Sequence, residues 1–245
     1  MNRQSRLHIQ QPVVWVTGAS RGIGREIAKQ FASVGCDVCL SARSTRQLKD
    51  AAKRIIEVGG RAYPFPCDLS SSASIARTVK IIQKQIGEID VLVNNAGITV
   101  FKSFLNTSVE EFDDILATNL RGHVACIKAV LPSMLKRKQG WIFNIISTAA
   151  IKTFKDSAAY TAAKAGMLGF ARVLRQEVGE SNVRVVNVLP GPTETGMWSR
   201  PDRRKFSRRM MSAKSVAEAI LSVYRMPEDV VVDELILRPV RGDID

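Results

Sequence analysis

The sequence predicts an α/β fold, a doubly wound parallel sheet with helices on both faces. Short apolar runs alternate with amphipathic segments along all 245 residues. The apolar runs are continuous, which is typical of parallel strands that are covered on both faces. A chain of this length suits one domain of this class. The alternation and the apolar runs together indicate a single α/β domain.

Local patterns predict the elements in chain order. The apolar run at residues 13–16 predicts a strand, and Ile23, Ile27 and Phe31 follow at helical spacing until Gly35 ends the helix. Similar runs predict the later strands, at residues 37–42, 62–66, 89–93, 141–146, 183–189 and 230–237. Amphipathic spacing predicts the helices, at residues 23–34, 45–59, 72–86, about 109–136, 158–178 and 215–224.

The chain reads as one domain with a short tail. No internal repeat, low-complexity tract or linker interrupts it, so we predict a polar N-terminal tail at residues 1–11 and one domain at residues 12–245. The tail lacks the apolar stretch of a secretory signal. No run of about 18 apolar residues occurs, so we expect no membrane span.

The four cysteines are Cys36, Cys39, Cys67 and Cys126. Cys36 and Cys39 form a C-x-x-C pair, which occurs in redox and metal sites. However, Cys39 lies in a predicted buried strand, where residues three apart point to opposite faces, and no second Cys or His pair completes a metal site. We therefore expect four buried thiols, no metal and a cytoplasmic protein, since unpaired thiols suit a reducing compartment.

The chain is strongly basic, with 36 Lys and Arg against 23 Asp and Glu and a net charge of +13. Such an excess favours acidic partners. Six cations crowd one short stretch: Arg200, Arg203, Arg204, Lys205, Arg208 and Arg209. No nucleic-acid recognition motif or interleaving of basic and aromatic residues accompanies them, which disfavours a nucleic-acid partner.

A glycine-rich segment, TGASRGIG at residues 17–24, joins the first predicted strand to the first helix. Its glycines permit a tight turn and let backbone N–H groups approach a pyrophosphate. The N-terminus of the helix then favours the same anion. A strand, a glycine turn and a helix at the first crossover predict a dinucleotide site.

The end of the second strand selects between the two nicotinamide dinucleotides. NAD sites place an acid there for the ribose hydroxyls, whereas NADP sites place Arg near the 2′-phosphate. This chain has Ala42 at the acid's position, followed by Arg43, and Arg21 in the glycine turn offers a second cation. Both arginines could instead be solvated. We favour NADPH because Arg pairs with phosphate through charge-assisted, bidentate hydrogen bonds.

Tyr160 and Lys164 lie four residues apart on a predicted helix, and this spacing places them on one face. A free Tyr has a pKa of about 10, and a nearby ammonium lowers it by stabilising the phenolate. Such a pair can exchange a proton with a carbonyl or an alcohol, although Y-x-x-x-K alone is common by chance. Ser147 and the Asn94-Asn95 pair lie at the carboxyl ends of the fifth and fourth predicted strands, where open α/β sheets bind ligands.

Together these features resemble a short-chain dehydrogenase/reductase of the single-domain type, over nearly the whole chain. The matching motifs, in the family's order and spacing, are TGASRGIG (17–24), Asp68-Leu69, NNAG (94–97), Asn119, Ser147, YTAAK (160–164) and Pro190-Gly191. The resemblance implies a Rossmann-like NAD(P)-binding catalytic domain at residues 12–245. It also implies an NADP(H)-dependent oxidoreductase that acts on CH–OH donors.

The resemblance implies a role for each matching residue. Tyr160 is expected to be the general acid or base, Ser147 to hydrogen-bond the substrate oxygen, Asn119 to hold a water in a proton relay, and Lys164 to bind the nicotinamide ribose and depress the pKa of Tyr160. The implied cofactor-binding residues are Gly18, Ser20, Arg21, Gly22, Ile23, Gly24, Arg43, Asp68, Leu69, Asn95, Ala96, Gly97, Tyr160, Lys164, Pro190, Gly191, Thr193 and Thr195. Among these, Asp68 and Leu69 are expected at the adenine, residues 95–97 at the adenosine ribose, and residues 190–195 at the nicotinamide and its phosphates.

Residues 193–212, which we call the lid, match the family's mobile segment over the substrate pocket. The lid holds Met197 and Trp198 and the six cations, which either are a solvated face or bind a phosphate or an acidic carrier. An acidic acyl-carrier protein or a CoA thioester fits this charge, so 3-oxoacyl-thioester reduction is the leading substrate hypothesis. The ending at residues 233–239 instead resembles that of short-chain 3-hydroxy acid or serine dehydrogenases, and a general carbonyl reductase is a further alternative.

The resemblance also implies a homodimer or homotetramer. Gly166, Met167, Phe170 and Ala171 lie either on such an interface or in packing within the domain. A non-catalytic NADP-binding protein of the same fold is a rival class, which the complete set of Ser147, Tyr160 and Lys164 disfavours.

Overall fold

The computed structural model describes residues 11–242 and residue 244. The predicted N-terminal tail, residues 1–11, lies outside the described residues except for its last position. The main strands are β1 (Val13–Thr17), β2 (Asp37–Ser41), β3 (Arg61–Pro64), β4 (Val91–Asn94), β5 (Gly140–Ile145), β6 (Val183–Pro190) and β9 (Glu234–Leu237). Two short strands lie in the lid, β7 (Thr193–Glu194) and β8 (Met211–Ser212).

The helices alternate with the strands. They are α1 (Gly22–Ser33), α2 (Thr45–Ile56), α3 (Ser72–Gln85), α4 (Val109–Leu116), α5 (Gly122–Arg137), α6 (Ala158–Val178), α7 (Arg200–Phe206) and α8 (Ala213–Tyr224). A π turn at Ala117–Arg121 joins α4 to α5, so the long predicted helix at 109–136 is two helices. Short 3₁₀ segments occur at Phe104–Asn106, Thr148–Ala150, Gly179–Ser181 and Ser207–Arg209.

The seven main strands form one parallel sheet in the order β3-β2-β1-β4-β5-β6-β9. The chain moves outward from β1 to β3, returns, and then proceeds from β4 to β9 on the other side. The direction of winding therefore reverses between β1 and β4, where open α/β sheets bind ligands beyond the carboxyl ends of the strands. The predicted doubly wound, single-domain fold is confirmed.

Serine side chains begin most of the helices. In each case the hydroxyl accepts a hydrogen bond from a backbone N–H in the first turn, at Ser44, Ser71, Ser108, Ser199 and Ser212. Such caps satisfy N–H groups that have no partner within the helix. By contrast, Arg21 at the start of α1 makes no side-chain cap, and the first turn of α1 holds no acid. The N-terminus of α1 therefore remains available to an anion.

Two apolar layers cover the faces of the sheet. Along β1, Val14 and Val16 belong to the layer under α1, α2 and α8, whereas Val13 and Trp15 belong to the layer under α3, α5 and α6. Alternate strand residues point to opposite faces, so both layers draw on every central strand. The sequence was compatible with either a subunit interface or intradomain packing for Met167 and Ala171. Both residues are fully buried in the second layer.

The four cysteines are divided between the two apolar layers. Cys36 and Cys39 belong to opposite layers, as expected from their spacing. All four cysteines are free and buried, and burial raises the pKa of the Cys36 thiol to about 11. In residues 11–242 and 244, no group of three or more His, Cys, Asp or Glu side chains could hold a metal ion. Within the same residues, no helix is both long and apolar enough to cross a membrane.

The last strand is shorter than predicted. Sequence predicts a strand at residues 230–237, but β9 covers only Glu234–Leu237. Its partner β6 pairs with it from Asn187 onward. Before that point the chain is still turning, because the Val230 N–H donates to the Pro227 carbonyl. The prediction was wrong for residues 230–233, since apolar composition alone does not show where a partner strand begins.

An aromatic cluster joins α1 and α8 to the sheet. The ring centroids of Phe31 on α1 and Tyr224 on α8 are 5.0 Å apart. Trp141 and Phe143 on β5 stack at 5.5 Å, and Phe143 lies 6.4 Å from Phe31. Phe143 and Phe31 are both fully buried. Aromatic pairs of this kind add about 0.5–1.5 kcal/mol each beyond the burial of their area.

Phe143→Ala is therefore expected to lower the free energy of unfolding by about 3–5 kcal/mol, because it removes a buried ring and leaves a cavity. Urea unfolding followed by circular dichroism measures this loss. Phe101→Ala provides the control: Phe101 is 50% exposed, and its loss should cost less than about 1 kcal/mol. Equal losses in the two variants would contradict the central place of the cluster.

Candidate active site

The glycine turn leaves β1 at the point where the winding reverses. Gly18 and Gly22 have φ angles of 65° and 59°, in the left-handed region that favours glycine. A Cβ on Gly18 would lie 2.7 Å from the Cα of Ala96, so no side chain fits there. The turn thus packs its backbone directly against the segment that follows β4. Ser20, Ile23 and Gly24 complete the turn and open α1.

The opposite wall of the predicted nucleotide site is formed by Asn95, Ala96 and Gly97, which we call the cofactor wall. The Oγ1 of Thr17 accepts hydrogen bonds from the N–H groups of Asn95 and Ala96, at 3.0 and 3.1 Å. The Asn95 side chain donates to the carbonyl of Thr17 at 2.9 Å. The end of β1 therefore holds the cofactor wall through both backbone and side-chain contacts.

The predicted adenine end lies beyond β2 and β3. The pKa of Asp68 is held below its usual value by hydrogen bonds from the backbone and hydroxyl of Ser70, and further by the charge of Arg43. The charge of Arg43 thus reaches Asp68. Arg21 instead lies against Gly196 in the lid. A Cβ built on Gly196 would be 3.4 Å from the Arg21 guanidinium.

The predicted nicotinamide end lies after β6. The N–H of Gly191 donates to the carbonyl of Leu237 at 2.8 Å, and the hydroxyl of Thr193 donates to the carbonyl of Gly191 at 2.9 Å. A Cβ on Gly22 would lie 3.4 Å from Thr195. Pro190, the last residue of β6, therefore leads into a segment that returns to the glycine turn.

The predicted catalytic side chains meet at the carboxyl end of β5. Tyr160 and Lys164, one turn apart on α6, are both buried. Tyr160 forms a side-chain hydrogen bond with Ser147, which directly follows β5. The Lys164 Nζ lies 5.6 Å from the centre of the Tyr160 ring and donates to the Ile145 carbonyl at 2.9 Å. The structure thus brings together three residues that are up to 17 positions apart in sequence, from Ser147 to Lys164.

Burial dominates the ionisation of this group. It raises the pKa of Tyr160 above its usual value, and the hydrogen bond with Ser147 offsets only part of that rise. Burial also lowers the pKa of Lys164 to about 8. The expectation that Lys164 depresses the pKa of Tyr160 is therefore not met, because that pKa is raised. The cause is burial of the Tyr160 hydroxyl; the Lys164 ammonium lies over the ring and donates to a backbone carbonyl.

Asn119 occupies the π turn between α4 and α5 and is fully buried. Its Oδ1 accepts from the Ile98 N–H at 2.9 Å, and its Nδ2 donates to the Ile98 carbonyl at 2.8 Å. Both side-chain groups are thus used in holding the segment after the cofactor wall. Sequence reasoning placed Asn119 at the site but did not predict the π turn, which is frequent at functional sites.

A row of buried asparagines crosses the sheet beneath the site. Asn94, Asn144 and Asn187 occupy matching positions on β4, β5 and β6. Asn94 donates to Asn144 at 3.1 Å, and Asn144 donates to Asn187 at 3.2 Å. Sequence reasoning missed this row and did not single out Asn187. The available signal was an asparagine near the end of each of three otherwise apolar runs.

An aromatic surface extends from the Tyr160 ring toward the lid. The Phe101 ring lies 6.4 Å from that of Tyr160 and 6.1 Å from that of Trp198. Phe101 is 50% exposed and Met197 is 41% exposed, so apolar surface remains open beside them. Sequence reasoning identified Trp198 and Met197 in the lid but missed Phe101, which lies on a different loop.

Comparisons with known proteins define the class. The short chain dehydrogenase family matches residues 12–205. A sepiapterin reductase from Chlorobaculum tepidum is 34% identical over 239 residues, covering 95% of this chain and 98% of that protein. These similarities and the fold define a Rossmann-type oxidoreductase. The chain belongs to the short-chain dehydrogenase family.

Solved structures agree with this assignment. An alcohol dehydrogenase from Thermococcus sibiricus, complexed with 5-hydroxy-NADP, is 29% identical with a TM-score of 0.87, and the match covers 96% of this chain and 99% of that one. A variant of the actinorhodin polyketide ketoreductase with NADPH is 31% identical with a TM-score of 0.88, covering 96% and 98%. The similarity therefore extends over the complete domain and includes its sheet.

The buried Lys164 charge has a consequence for stability. Its pKa is about 8 in the folded chain and 10.5 in an unperturbed lysine, so between these values the unfolded chain binds a proton that the folded chain does not. Stability associated with Lys164 therefore rises with pH across this window, and below pH 8 the folded chain carries the full cost of the buried charge.

Lys164→Met is thus expected to be more stable than the wild type by about 1–3 kcal/mol at pH 7, after the lost hydrogen bond is subtracted. The advantage should shrink as the pH rises toward 10.5. Urea unfolding of both proteins at pH 7 and pH 10 measures the change. An advantage of the same size at both pH values would show that the charge is not the cause.

Proposed function

We propose that the protein is an NADPH-dependent oxidoreductase that interconverts a ketone and a secondary alcohol, with Tyr160 as the acid and base. The observation that carries this proposal is the hydrogen-bonded pair of Ser147 and Tyr160, with Lys164 one turn away, at the carboxyl end of β5. The pair lies at the sheet edge where the glycine turn begins α1. A dinucleotide held by its pyrophosphate at the glycine turn, with its nicotinamide as hydride donor near the segment after β6, and a proton donor at Tyr160 are the two parts that carbonyl reduction requires.

NADP(H) is the cofactor that best fits the surrounding residues. The close approach of Gly18 to Ala96 and the uncapped start of α1 suit a pyrophosphate. Arg43 supplies a cation directly after Ala42, which stands where an NAD site would place an acid, and its charge reaches Asp68. Solved relatives that contain NADP or NADPH support the same choice. When bound, NADPH supplies the hydride.

The chain's own residues supply the proton. The raised pKa of Tyr160 keeps its hydroxyl protonated at neutral pH, the state needed to donate to a carbonyl oxygen. Ser147, already bonded to Tyr160, holds the same oxygen. Lys164, with a pKa of about 8, is mostly protonated at pH 7, so its ammonium can donate to the nicotinamide ribose, the role that the family resemblance implies.

The side-chain amide of Asn119 is not assigned to the relay water in this scheme. Both side-chain groups of Asn119 already bind the Ile98 backbone. We therefore assign the proposed relay water to the Asn119 backbone, within a π turn whose Gly122 N–H bonds five residues back, to Ala117.

Tyr160→Phe is expected to lower turnover by about a hundredfold to ten-thousandfold, because it removes the proton donor. NADPH affinity should stay within about threefold of wild type, since the ring is retained. Steady-state NADPH oxidation and fluorescence titration measure the two quantities. Tyr63→Phe is the matched control: the Tyr63 hydroxyl bonds Asp37, at the other end of the sheet, and full activity is expected. Wild-type turnover in Tyr160→Phe would refute the proposal.

The leading substrate class is a 3-oxoacyl thioester carried by CoA or by an acidic carrier protein. In support, Arg200, Pro201, Arg204 and Lys205 line an open groove of about 650 Å³ on α7. Six cations lie at 200–209 against one acid, Asp202, and such a surface attracts anionic partners. The short-chain 3-hydroxy acid alternative rests on residues 233–239, of which Asp233 and Glu234 form ion pairs with Arg175 and Arg172.

A second candidate is a ketone attached to a flat, conjugated ring. Phe101 and Trp198 favour this class, because the half-exposed ring of Phe101 lies beside Tyr160 and the partly buried ring of Trp198 lies beside Phe101. Their rings are already in contact with each other, so a flat group would stack on the exposed face rather than enter between them. The similarity to a sepiapterin reductase supports the same class.

A panel of substrates separates the classes. Acetoacetyl-CoA, a 3-oxoacyl carrier protein and an aromatic ketone are tested for reduction, and 3-hydroxypropionate and serine are tested for oxidation.

Two variants assign the residues that recognise each class. If thioesters are the substrates, Arg204→Glu should raise their KM about fivefold, while the charge-matched Arg77→Glu on α3 should not. If flat ketones are the substrates, Trp198→Leu should raise their KM about threefold to tenfold and leave the KM of acetoacetyl-CoA unchanged. Activity on 3-hydroxypropionate or serine alone would displace both classes.

A further inference from the structure

His123 is a buried polar residue with no role in the scheme above. It is the second residue of α5, directly after the π turn, and it is fully buried. Its Nε2 lies 2.7 Å from the carbonyl oxygen of Ala96 in the cofactor wall. Sequence reasoning did not single it out, because an isolated histidine in an amphipathic helix has no local signature.

The contact determines where the proton of the ring lies. A carbonyl oxygen only accepts hydrogen bonds, so the His123 Nε2 carries the hydrogen and donates it to Ala96. The Nδ1 is buried and has no hydrogen-bond partner among the described residues. Burial, together with the charge of Lys164, lowers the pKa of His123 to about 3, so the ring is neutral at physiological pH. Its single N–H is therefore the one bound to Ala96.

Ala96 is consequently held from two sides. From β1, the Thr17 hydroxyl oxygen accepts from the Ala96 N–H at 3.1 Å. From α5, His123 donates to the Ala96 carbonyl. The two contacts use both backbone polar groups of Ala96, and the backbone of Gly18 packs against the Cα between them. Little freedom remains for the backbone of Ala96 once all three contacts are made.

His123 and Asn119 act on neighbouring residues. They lie one helical turn apart, and Asn119 binds both backbone groups of Ile98 while His123 binds Ala96. Farther back, the Asn94 side chain lies 3.4 Å from the carbonyl of His123 and donates to it. The π turn and the first turn of α5 therefore hydrogen-bond to the segment from Asn94 to Ile98 at three of its residues, Asn94, Ala96 and Ile98.

We propose that His123 is a positioning residue, whose Nε2–H fixes the Ala96 carbonyl and thereby holds the cofactor wall in the shape that binds the adenosine half of NADPH. The inference rests on the proposed function in one respect, that NADPH binds along this wall. It assigns His123 no part in proton transfer. The contact requires a donor at the Nε2 position, and the Nδ1 position is dispensable.

Two amide variants test which nitrogen is needed. In His123→Gln the amide nitrogen lies near the position of Nε2, and in His123→Asn it lies near that of Nδ1. We expect His123→Asn to raise the Kd of NADPH and of adenosine 2′,5′-bisphosphate about tenfold, by loss of one buried hydrogen bond. His123→Gln should restore both Kd values to within about threefold. Calorimetric titration measures them, and kcat at saturating NADPH and its pH profile should be unchanged in both variants.

Three results would overturn the inference. Wild-type affinity in His123→Asn would show that the contact does not matter. Equal weakening in His123→Asn and His123→Gln would show that ring packing matters instead of the hydrogen bond. A shifted pH profile with unchanged Kd values would place His123 in proton transfer. If His123→Asn does not fold, His123→Leu takes its place, since it fills the space of the ring without a donor.

The bisphosphate separates this inference from the proposed function. It contains no nicotinamide, so its binding does not depend on ketone reduction. A wild-type protein that binds NADPH but reduces no ketone would refute the proposed reaction and leave the role of His123 intact. A wild-type protein that binds neither NADPH nor the bisphosphate would refute both.

Discussion

The register of the three central strands β4, β5 and β6 is the constraint on which the site depends. Asn94, Asn144 and Asn187 hydrogen-bond side by side in a fully buried row. A buried amide without a partner costs about 1–3 kcal/mol, and a slip of one strand by one residue would turn its asparagine to the other face, away from the row. Apolar neighbours alone would tolerate a slip more easily. The row therefore helps to determine where each of these strands ends.

The positions of the strand ends determine what lies at the edge of the sheet. The cofactor wall follows β4, Ser147 follows β5, and Gly191 follows β6. Each is a backbone segment or a short side chain with little reach of its own. Their distances from one another are thus set by the sheet, and α6 brings Tyr160 to them from one side. A site built in this way needs no flexible side chain to span a gap.

Burial creates the chemistry of the site and also opposes folding. It raises the pKa of Tyr160 and lowers that of Lys164, so each shift favours the uncharged form. The same desolvation that keeps Tyr160 protonated makes the ammonium of Lys164 costly. The aromatic cluster around Phe143 lies on the opposite face of the sheet, where burial carries no such cost. The layer that contains α6 therefore combines apolar packing with the buried charge of Lys164.

Sequence was informative where the determinants are local. The glycine turn, the Tyr160–Lys164 spacing and most element boundaries each depend on a few consecutive residues, and the structure places them as predicted. The contacts of Phe101 with Trp198, of His123 with Ala96 and along the asparagine row join distant segments, so no local pattern encodes them. The pKa of Tyr160 was misjudged for a related reason, since it depends on burial by residues from several distant segments. The extent of β9 depends on its partner in the same way.

The π turn at Ala117–Arg121 restricts how the length of this region can vary among related chains. A π turn adds one residue to a helix, and each helical residue rotates the following face by about 100°. Removing one residue before Asn119 would turn α4 relative to α5, and α4 packs against α6, which carries Tyr160. Removing one after it would turn His123 and the apolar face of α5 away from their partners. Insertions and deletions should therefore accumulate in the surface loops on either side of this helix and be excluded from the helix itself.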